Sequence, residues 1–357
     1  MRIPGLIDPH VHLREPGATH KEDFQTGTAA ALAGGYTMVL AMPNTDPPLI
    51  SREALAISAR LAERKALCDY GIYVGGTKSN ARNLPRVAAR TAGLKLYLDA
   101  TYGPLLLEEL SDWMAHFEHW PADRPLTAHA EGKTLAAYLQ LAELYQRPVH
   151  VCHVSRKEEI LLIREAKRRG IPVTCEVTPH HLFLTNRDVD GLGETKARVK
   201  PDLAEPEDQQ ALWENLEVID CLATDHAPHT LEEKDSPQSP PGFPGLETAL
   251  PLMLTAVHQG RLTMDKLVDL TVIQPRKIFH LPEQPDTWVE IDPDWRQVLS
   301  ASTQKTRCGW TPFEGHQVRG GVTKVILRGR IVFEDGEVLA QPGTGRNIRN
   351  DISTKQK

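Results

Sequence analysis

A regular alternation of short apolar segments with longer amphipathic segments is the feature that most constrains the fold. Eight short segments predict β-strands, at residues 5–13, 36–42, 69–75, 93–98, 126–130, 149–154, 173–178 and 220–225. Helical patterns separate most of them, at residues 21–33, 52–65, 105–120, 131–146, 156–169 and 205–216. Because the strands are almost continuously apolar, they suit burial on both faces in a closed parallel (β/α)8 barrel of the TIM type. An open doubly wound sheet is the alternative, but the first strand is not followed by its Gly-x-Gly-x-x-Gly motif.

The remainder of the chain predicts a small β appendage. The chain has 357 residues, a length that suits one barrel with a short addition. Residues 324–333 and 337–339 predict a hairpin, and the polar residues from Gly343 onward are typical of a linker or tail. We therefore expect a barrel over residues 1–315, a β appendage over 316–342 and a polar tail over 343–357. A linker-like tail is typical of a domain taken from a longer chain.

Composition excludes several classes of protein. The net charge is −6 with both signs interspersed, so the chain has no basic stripe for nucleic acid. No apolar run is long enough to span a bilayer, and the first residues lack the pattern of a signal peptide. Five cysteines without framework spacing argue against a disulfide scaffold. These features predict a cytoplasmic protein that binds neither nucleic acid nor membranes.

Metal-type ligands recur at the ends of the predicted strands. His10 and His12 are two residues apart, so their side chains point to the same side of the first strand. Further candidates at strand ends are Lys95, His129, His153 and Asp225. Each alone is equally consistent with a core histidine, an ion pair or a helix cap. Because barrel active sites are built at the carboxyl ends of the strands, the combination predicts a metal hydrolase. Nitrogen and oxygen ligands suit zinc best, although cobalt or manganese could substitute.

Lys95 requires a separate explanation, because a charged lysine inside a barrel is costly unless it is paired or modified. A neutral lysine can add carbon dioxide to form a carbamate, whose two oxygens can bridge two cations. The alternatives are a side chain that extends its ammonium toward solvent and a salt bridge to a neighbouring carboxylate.

These motifs resemble the dihydroorotases, and among them the dihydroorotase domain of the animal protein that also contains carbamoyl-phosphate synthetase and aspartate transcarbamoylase. The resemblance covers almost the whole chain, including Pro-Gly-Leu-Ile-Asp-x-His-Val-His-Leu-Arg-Glu-Pro-Gly from Pro4 and Asp-His-Ala-Pro-His-Thr-Leu-Glu-Glu-Lys from Asp225. It implies one zinc bound by His10, His12, carboxylated Lys95 and Asp225, and a second bound by Lys95, His129 and His153. It also implies a third zinc at Cys152, Glu176 and Asp225, with His10 as a bridge.

The same resemblance implies the residues that recognise the substrate. Arg14, Asn44 and His229 match positions that bind the carboxylate of dihydroorotate, and Lys200 stands where the animal domain has an arginine. Backbone groups near Pro241 and Gly242 match a contact with the pyrimidine ring. Thr101 and Tyr102 match the threonine and phenylalanine of a mobile catalytic loop; a plain surface turn is the alternative.

The implied activity is reversible cyclisation of N-carbamoyl-L-aspartate to L-dihydroorotate in pyrimidine synthesis. A hydroxide between the metals would attack the ring amide, with Asp225 as general acid and base. The resemblance further implies a homodimer and a covalent link to, or association with, aspartate transcarbamoylase and carbamoyl-phosphate synthetase. Two alternatives remain: another cyclic amidase, such as dihydropyrimidinase, hydantoinase or allantoinase, and an inactive dihydroorotase-like scaffold. Arg14 and Asn44 favour dihydroorotase over the other amidases, and the retained ligands argue against the scaffold.

Overall fold

A computed structural model describes residues 1–349 and contains the predicted parallel barrel. The barrel strands are β2 Leu6–Val11, β3 Tyr36–Ala41, β4 Asp69–Ile72, β5 Val74–Gly75, β6 Leu94–Tyr97, β7 Leu126–His129, β8 Val149–Val151, β9 Val173–Val177 and β10 Cys221–Leu222. Every one lies within a segment that the sequence predicts as a strand. The third barrel strand is interrupted at Tyr73, which divides it into β4 and β5. Neighbouring strands pair in parallel in chain order.

The barrel closes where the first strand meets the eighth. His12 donates its backbone N–H to the carbonyl of His226 at 2.7 Å. Below this contact, the buried carboxylate of Asp8 accepts hydrogen bonds from the backbone N–H and the hydroxyl of Thr224, at 3.2 and 2.5 Å. Burial raises the pKa of Asp8 to about 7, and the hydrogen bonds from Thr224 oppose that rise. The two ends of the barrel sequence are therefore held together directly beneath their predicted ligands.

Twelve α-helices lie within residues 1–349. They are α1 Phe24–Ala33, α2 Arg52–Lys65, α3 Leu110–His119, α4 Gly132–Leu144, α5 Lys157–Arg168, α6 Pro179–Phe183, α7 Val189–Leu192, α8 Pro206–Glu214, α9 Leu231–Lys234, α10 Leu246–His258, α11 Met264–Val268 and α12 Gln274–Ile278. Ser51 begins α2 by accepting a hydrogen bond from the Ala54 N–H, and α1 ends at Gly34. Within the described residues, no helix is both long and apolar enough to cross a membrane.

The β appendage is larger than the C-terminal hairpin that the sequence predicts. It is a five-stranded sheet of β1 Arg2–Pro4, β11 Trp288–Val298, β12 Gln317–Leu327, β13 Arg330–Glu334 and β14 Glu337–Val338. The predicted single strand over 324–333 is wrong, because the chain turns between β12 and β13. Arg328 and Gly329 both have positive φ at this turn, 52° and 74°, which is the geometry of a tight hairpin. The proposed domain boundaries at 315/316 and 342/343 stay a prediction.

The described part of the predicted tail packs on the barrel. Gly345 and Ile348 donate backbone hydrogen bonds to Ala66 and Tyr70. The buried side chain of Arg349 donates to the carbonyls of Thr91 and Phe279, both at 2.9 Å. Residues 345–349 therefore contact the barrel, whereas residues 350–357 lie outside the described part of the chain, and the tail as a unit stays a prediction.

Candidate metal centre

The predicted ligands converge at the carboxyl ends of the barrel strands. A cavity at this end encloses about 360 Å³ of empty space, part of it open to solvent. Its lining includes most of the predicted site residues, namely His10, His12, Arg14, Asn44, Lys95, Thr101, Tyr102, His129, His153, Lys200, Asp225, Pro241 and Gly242. Cys152, Glu176 and His229 lie behind this lining and contact residues within it. The structure thus brings together every side chain that the sequence singled out.

His10, His12 and Asp225 form the first cluster. Asp225 Oδ1 lies 3.0 Å from His12 Nε2 and 3.3 Å from His10 Nε2. Burial lowers the pKa of His12 to about 4, although Asp225 opposes the shift. Burial alone would raise the pKa of Asp225, but His10 and His12 hold it well below its usual range. Two buried imidazoles therefore face one carboxylate, and one potential ligand atom from each lies within 4.8 Å of the other two.

His129 and His153 form the second cluster. Their ring nitrogens Nδ1 and Nε2 face each other at 3.0 Å. The other ring nitrogen of His129, Nε2, lies 2.9 Å from Glu131 Oε1, which can accept its hydrogen. Carboxylates commonly orient metal-binding histidines in this way. Burial, together with the neighbouring His129, holds the pKa of His153 well below its usual range. The facing nitrogens are placed to share one cation.

Cys152 and Glu176 form a third group with His10. Their ligand atoms also lie within 4.8 Å of one another. Glu176 contacts His10 Nδ1 at 2.5 Å and His150 Nε2 at 3.0 Å, so it also orients His10 from behind. Burial would raise the pKa of Glu176, but these two histidines keep it well below its usual range. Burial raises the pKa of the Cys152 thiol, although Lys95 opposes the shift.

Lys95 is fully buried between these clusters, and its Nζ donates to Cys152 Sγ at 2.8 Å. Its ammonium also lies 5.3 Å from the centre of the Tyr97 ring. Among the ion pairs of residues 1–349 none includes Lys95, so the structure shows the unmodified ammonium against a thiol and not against a carboxylate. Imidazoles, carboxylates and a lysine that can be carboxylated fit a divalent cation of the zinc type.

Strained backbone positions coincide with this site. Of the eight non-glycine residues with positive φ in the described chain, three are predicted site residues. They are Arg14, His153 and Asp225, with φ of 58°, 33° and 46°. Such conformations cost free energy and persist where the surrounding structure imposes them, often at active sites.

Arg14 and His229 lie beside the first cluster. Arg14 Nε donates to the carbonyl of Pro228 at 3.0 Å, and its Nη2 lies 3.0 Å from His229 Nε2. His229 Nε2 also lies 3.1 Å from the carbonyl oxygen of Pro241. Arg14 is 3% exposed, so its charge is directed into the cavity and not to bulk solvent.

Asn44 makes protein contacts with both ends of its amide. Its Oδ1 accepts from His12 Nδ1 at 2.6 Å, and its Nδ2 donates to the carbonyl of Tyr102 at 3.1 Å. It therefore joins the first cluster to the loop that contains Thr101 and Tyr102. Lys200 stands at the rim, where its ammonium contacts Asp202 at 3.0 Å.

Sequence reasoning missed several residues of the site. Tyr97 and Ala227 line the cavity, and each lies two positions beyond a predicted ligand, so strand periodicity could have identified Tyr97. Glu131 and His150 orient ligands from behind, and Lys21 contacts His229. No local motif marks His150 or Lys21, because the residues that they contact are distant in sequence. Glu131 lies only two residues after His129, so the same period of two could have identified it.

Comparison with known proteins identifies the family. The model of the amidohydrolase family matches residues 1–332. The chain is 55% identical over 349 residues to the multifunctional protein CAD of Squalus acanthias, covering 98% of this chain and 16% of that protein. It is 52% identical over 351 residues to the multifunctional protein pyr1-3 of Dictyostelium discoideum, again spanning 16% of that length. A dihydroorotase of Pyrococcus furiosus is 34% identical, with 97% of this chain and 85% of that one covered.

Solved structures share the fold over almost the whole chain. L-hydantoinase from Arthrobacter aurescens superposes with a TM-score of 0.90 at 28% identity, covering 98% of this chain and 88% of that one. The inactive dihydroorotase-like domain of a CAD-like multifunctional protein from Chaetomium thermophilum gives 0.84 at 31% identity, covering 98% and 99%. The chain therefore belongs to the amidohydrolase family and, within it, to the dihydroorotases.

Proposed function

We propose that the chain catalyses the reversible cyclisation of N-carbamoyl-L-aspartate to L-dihydroorotate. The observation that carries the proposal is one cavity with two kinds of group: the His10, His12 and Asp225 cluster at its base, and the cation of Arg14 at its side. The first suits hydrolysis of an amide, and the second suits a substrate carboxylate. Relatives named dihydroorotase support this assignment.

The residues that would hold zinc follow from the three clusters. His10, His12, Asp225 and a carboxylated Lys95 would hold one ion, and Lys95, His129 and His153 a second. Cys152 and Glu176, with His10 and Asp225, would hold a third. When bound, such ions supply Lewis acidity and lower the pKa of water toward neutrality.

Asp225 is placed to move a proton during the reaction. Both histidine contacts go to its Oδ1, so we expect Oδ2 to exchange the proton. The carboxylate would accept a proton from the attacking water and deliver it to the departing ring nitrogen. The imposed φ of 46° at Asp225 directs the side chain into the cavity.

Arg14 would bind the substrate carboxylate, because a guanidinium offers planar, charged donors. Its Nε contact with the Pro228 carbonyl fixes the guanidinium, and the residue lines the cavity. The backbone of Pro241 and Gly242 would contact the ring edge. Lys200 would add a second positive charge at the rim, and Asn44 would join substrate binding to the loop.

Thr101 and Tyr102 would cover the bound substrate and exclude water. Tyr102 packs edge-on against His229, with ring centres 4.9 Å apart, and lies 5.2 Å from the Arg14 guanidinium. The loop therefore contacts the same groups that would bind the carboxylate.

The two alternative functions are another cyclic amidase and an inactive scaffold. A hydantoinase or dihydropyrimidinase acts on rings that lack the carboxylate, so it has no need of a buried arginine at this position. An inactive scaffold has no chemical need for the ligands that this chain retains. Arg14 and the metal clusters are thus the features that separate the three functions.

The decisive experiment compares ring opening of L-dihydroorotate and dihydrouracil by zinc-loaded protein with bicarbonate present. We expect turnover of dihydroorotate alone. Arg14→Met should raise KM for dihydroorotate by about tenfold to a hundredfold, as expected for loss of hydrogen bonds to a charged group. Asp225→Asn should abolish turnover.

The control is Arg90→Met, a surface arginine at the end of the 3-10 segment Leu84–Arg90, which should behave as wild type. Preference for dihydrouracil would identify another cyclic amidase. No turnover of either compound by protein with verified bound zinc would favour the scaffold.

Assembly and location are proposed together with the function. The chain covers only 16% of the two multifunctional proteins, so linkage to, or association with, aspartate transcarbamoylase and carbamoyl-phosphate synthetase is a proposal. A homodimer and a cytoplasmic location are proposed from the resemblance to the dihydroorotases. Light scattering would test the dimer.

A further inference from the structure

Lys21 is a buried lysine for which the proposed reaction has assigned no role. Only 4% of it is exposed, and it stands just before α1, in the loop after the first barrel strand. Its ammonium contacts Tyr102 Oη at 3.1 Å, His229 Nδ1 at 3.0 Å and Glu233 Oε1 at 2.9 Å. An ammonium has three donors, and these three acceptors use all of them.

The contact with His229 determines which ring nitrogen carries the proton. A neutral imidazole has one N–H, and burial next to Arg14 and Lys21 lowers the pKa of His229 far below its usual value. Lys21 and Arg14 can both only donate, and they face opposite ring nitrogens at 3.0 Å, so a neutral ring accepts from one of them alone. A carbonyl beside Nε2 favours the tautomer with the hydrogen on Nε2, which leaves Nδ1 to accept from Lys21. The carbonyl of Pro241, 3.1 Å from Nε2, is an acceptor for that hydrogen. The opposite tautomer would direct an N–H at the ammonium.

With this tautomer, the contact between His229 and Arg14 is not a hydrogen bond. Nε2–H and Arg14 Nη2 are both donors, yet they lie 3.0 Å apart. The Pro241 carbonyl accepts the Nε2 hydrogen in this structure, and a carboxylate bound to Arg14 would bring an oxygen close enough to share that hydrogen. Without Lys21, the ring could turn its unprotonated nitrogen toward Arg14 and accept from it, which would satisfy the arginine internally and remove one donor.

We propose that Lys21 is a positioning residue that holds His229 as the Nε2–H tautomer, and so creates with Arg14 a two-donor site for the substrate carboxylate. This inference rests on the proposed function for the identity of the carboxylate, but the tautomer itself does not. Lys21 contacts neither the reacting atoms nor the metal clusters. It joins three loops, those after the first, fourth and eighth barrel strands, at the point where the carboxylate would bind.

The first test is the tautomer of His229 in the whole wild-type chain, read from multiple-bond proton–nitrogen NMR correlations and assigned with His229→Gln. We expect protonated Nε2 and unprotonated Nδ1. A protonated Nδ1 would overturn the proposal. This measurement needs no Lys21 variant and no activity, so it remains informative if dihydroorotate proves not to be the substrate.

The second test is kinetic. Lys21→Met keeps the length of the side chain and should raise KM for dihydroorotate by about tenfold to a hundredfold, as expected for loss of a hydrogen bond to a charged group, with kcat changed much less. The matched control is Lys277→Met, an exposed lysine of α12 that lies away from the cavity and should leave both constants unchanged. An unchanged KM in Lys21→Met would overturn the proposal.

Two further variants separate the tautomer from the loop. Tyr102→Phe removes only the loop contact of Lys21, so we expect a smaller rise in KM than in Lys21→Met. His229→Gln offers an amide donor near the Nε2 position without help from Lys21, so adding Lys21→Met to it should have little further effect. If Tyr102→Phe alone reproduced the full rise in KM, Lys21 would act through the loop and the proposal would be wrong.

Discussion

Gly242 provides a stringent test of how the backbone shapes the cavity. Its φ is +144°, a conformation that side chains rarely adopt, and it lines the cavity next to Pro241. A Cβ added at this position would lie 2.4 Å from the carbonyl oxygen of Ala227 and 3.2 Å from Cδ2 of His229. Gly242→Ala therefore perturbs both the conformation and the space of the loop that would contact the substrate ring.

The expected magnitude has two parts. The φ value costs about 1–3 kcal/mol for a residue with a side chain. The overlap requires the loop to move by about 1 Å, because an ordinary van der Waals contact is about 3.5–4.0 Å. A displacement of about 1 Å at a substrate contact can cost about a hundredfold in rate. We expect Gly242→Ala to lower kcat/KM for dihydroorotate by about that factor and to destabilise the fold by about 3–5 kcal/mol.

Gly260→Ala is the matched control, because it isolates the conformational part. Gly260 also has positive φ, +73°, but a Cβ there would meet nothing within 4 Å. It should cost about 1–2 kcal/mol and leave kcat/KM unchanged. Thermal unfolding and steady-state kinetics of both variants are the assays, and in a chain of this size the midpoint should fall by about 4–7 °C for Gly242→Ala. Equal effects of the two substitutions on stability and on kcat/KM would refute the reasoning.

Two further predictions concern carboxylates outside the metal centre, those of half-buried Glu247 and buried Asp69. Burial raises the pKa of Glu247 to about 8, although the N–H groups of Lys305 and Thr306 oppose the shift. The fold thus favours protonated Glu247. The contribution of this group to the free energy of unfolding is full below about pH 4.5 and is lost as the pH rises through about 8. Melting midpoints measured from pH 6 to 9 should therefore fall less in Glu247→Gln than in wild type. Arg328 binds both oxygens of buried Asp69, at 2.6 and 2.7 Å. Arg328→Met should therefore lower the free energy of unfolding by about 2–4 kcal/mol, measured by thermal unfolding, and leave kcat/KM unchanged. A matching loss of kcat/KM would contradict a purely structural role for this ion pair.

The barrel could be predicted because its signals are local. Each strand is a short apolar run that must be buried on both faces, and parallel pairing follows from the helices between the runs. The positions of the candidate ligands could be predicted from the same pattern, because the carboxyl ends of all the barrel strands meet at one end of the barrel. This reasoning correctly placed His129 and His153, whose rings lie 4.6 Å apart although 24 residues separate them.

The parts that could not be predicted depend on contacts between distant segments. The appendage sheet takes β1 from before the barrel sequence and β11 from after it, and these two strands pair only when the barrel brings them together. The tail packs through Arg349, whose donors reach carbonyls about 70 and 258 residues earlier. Neither contact leaves a period or a motif in the sequence. Lys21 was missed for the same reason, because its acceptors lie in two other loops.

The position of the site at the seam of the barrel has a consequence for folding. His10 lies in the first barrel strand, His12 directly follows it and Asp225 follows the eighth, so one candidate ligand cluster joins residues that are 213 positions apart. The hydrogen bonds of Asp8 with Thr224 and of His12 with His226 close the same seam. A cation that binds this cluster therefore stabilises the closed barrel over any state in which the two strands separate, because only the closed state offers all three ligands. Since closing so long a loop is entropically costly, the seam is where we expect ligand binding and barrel closure to be most strongly linked.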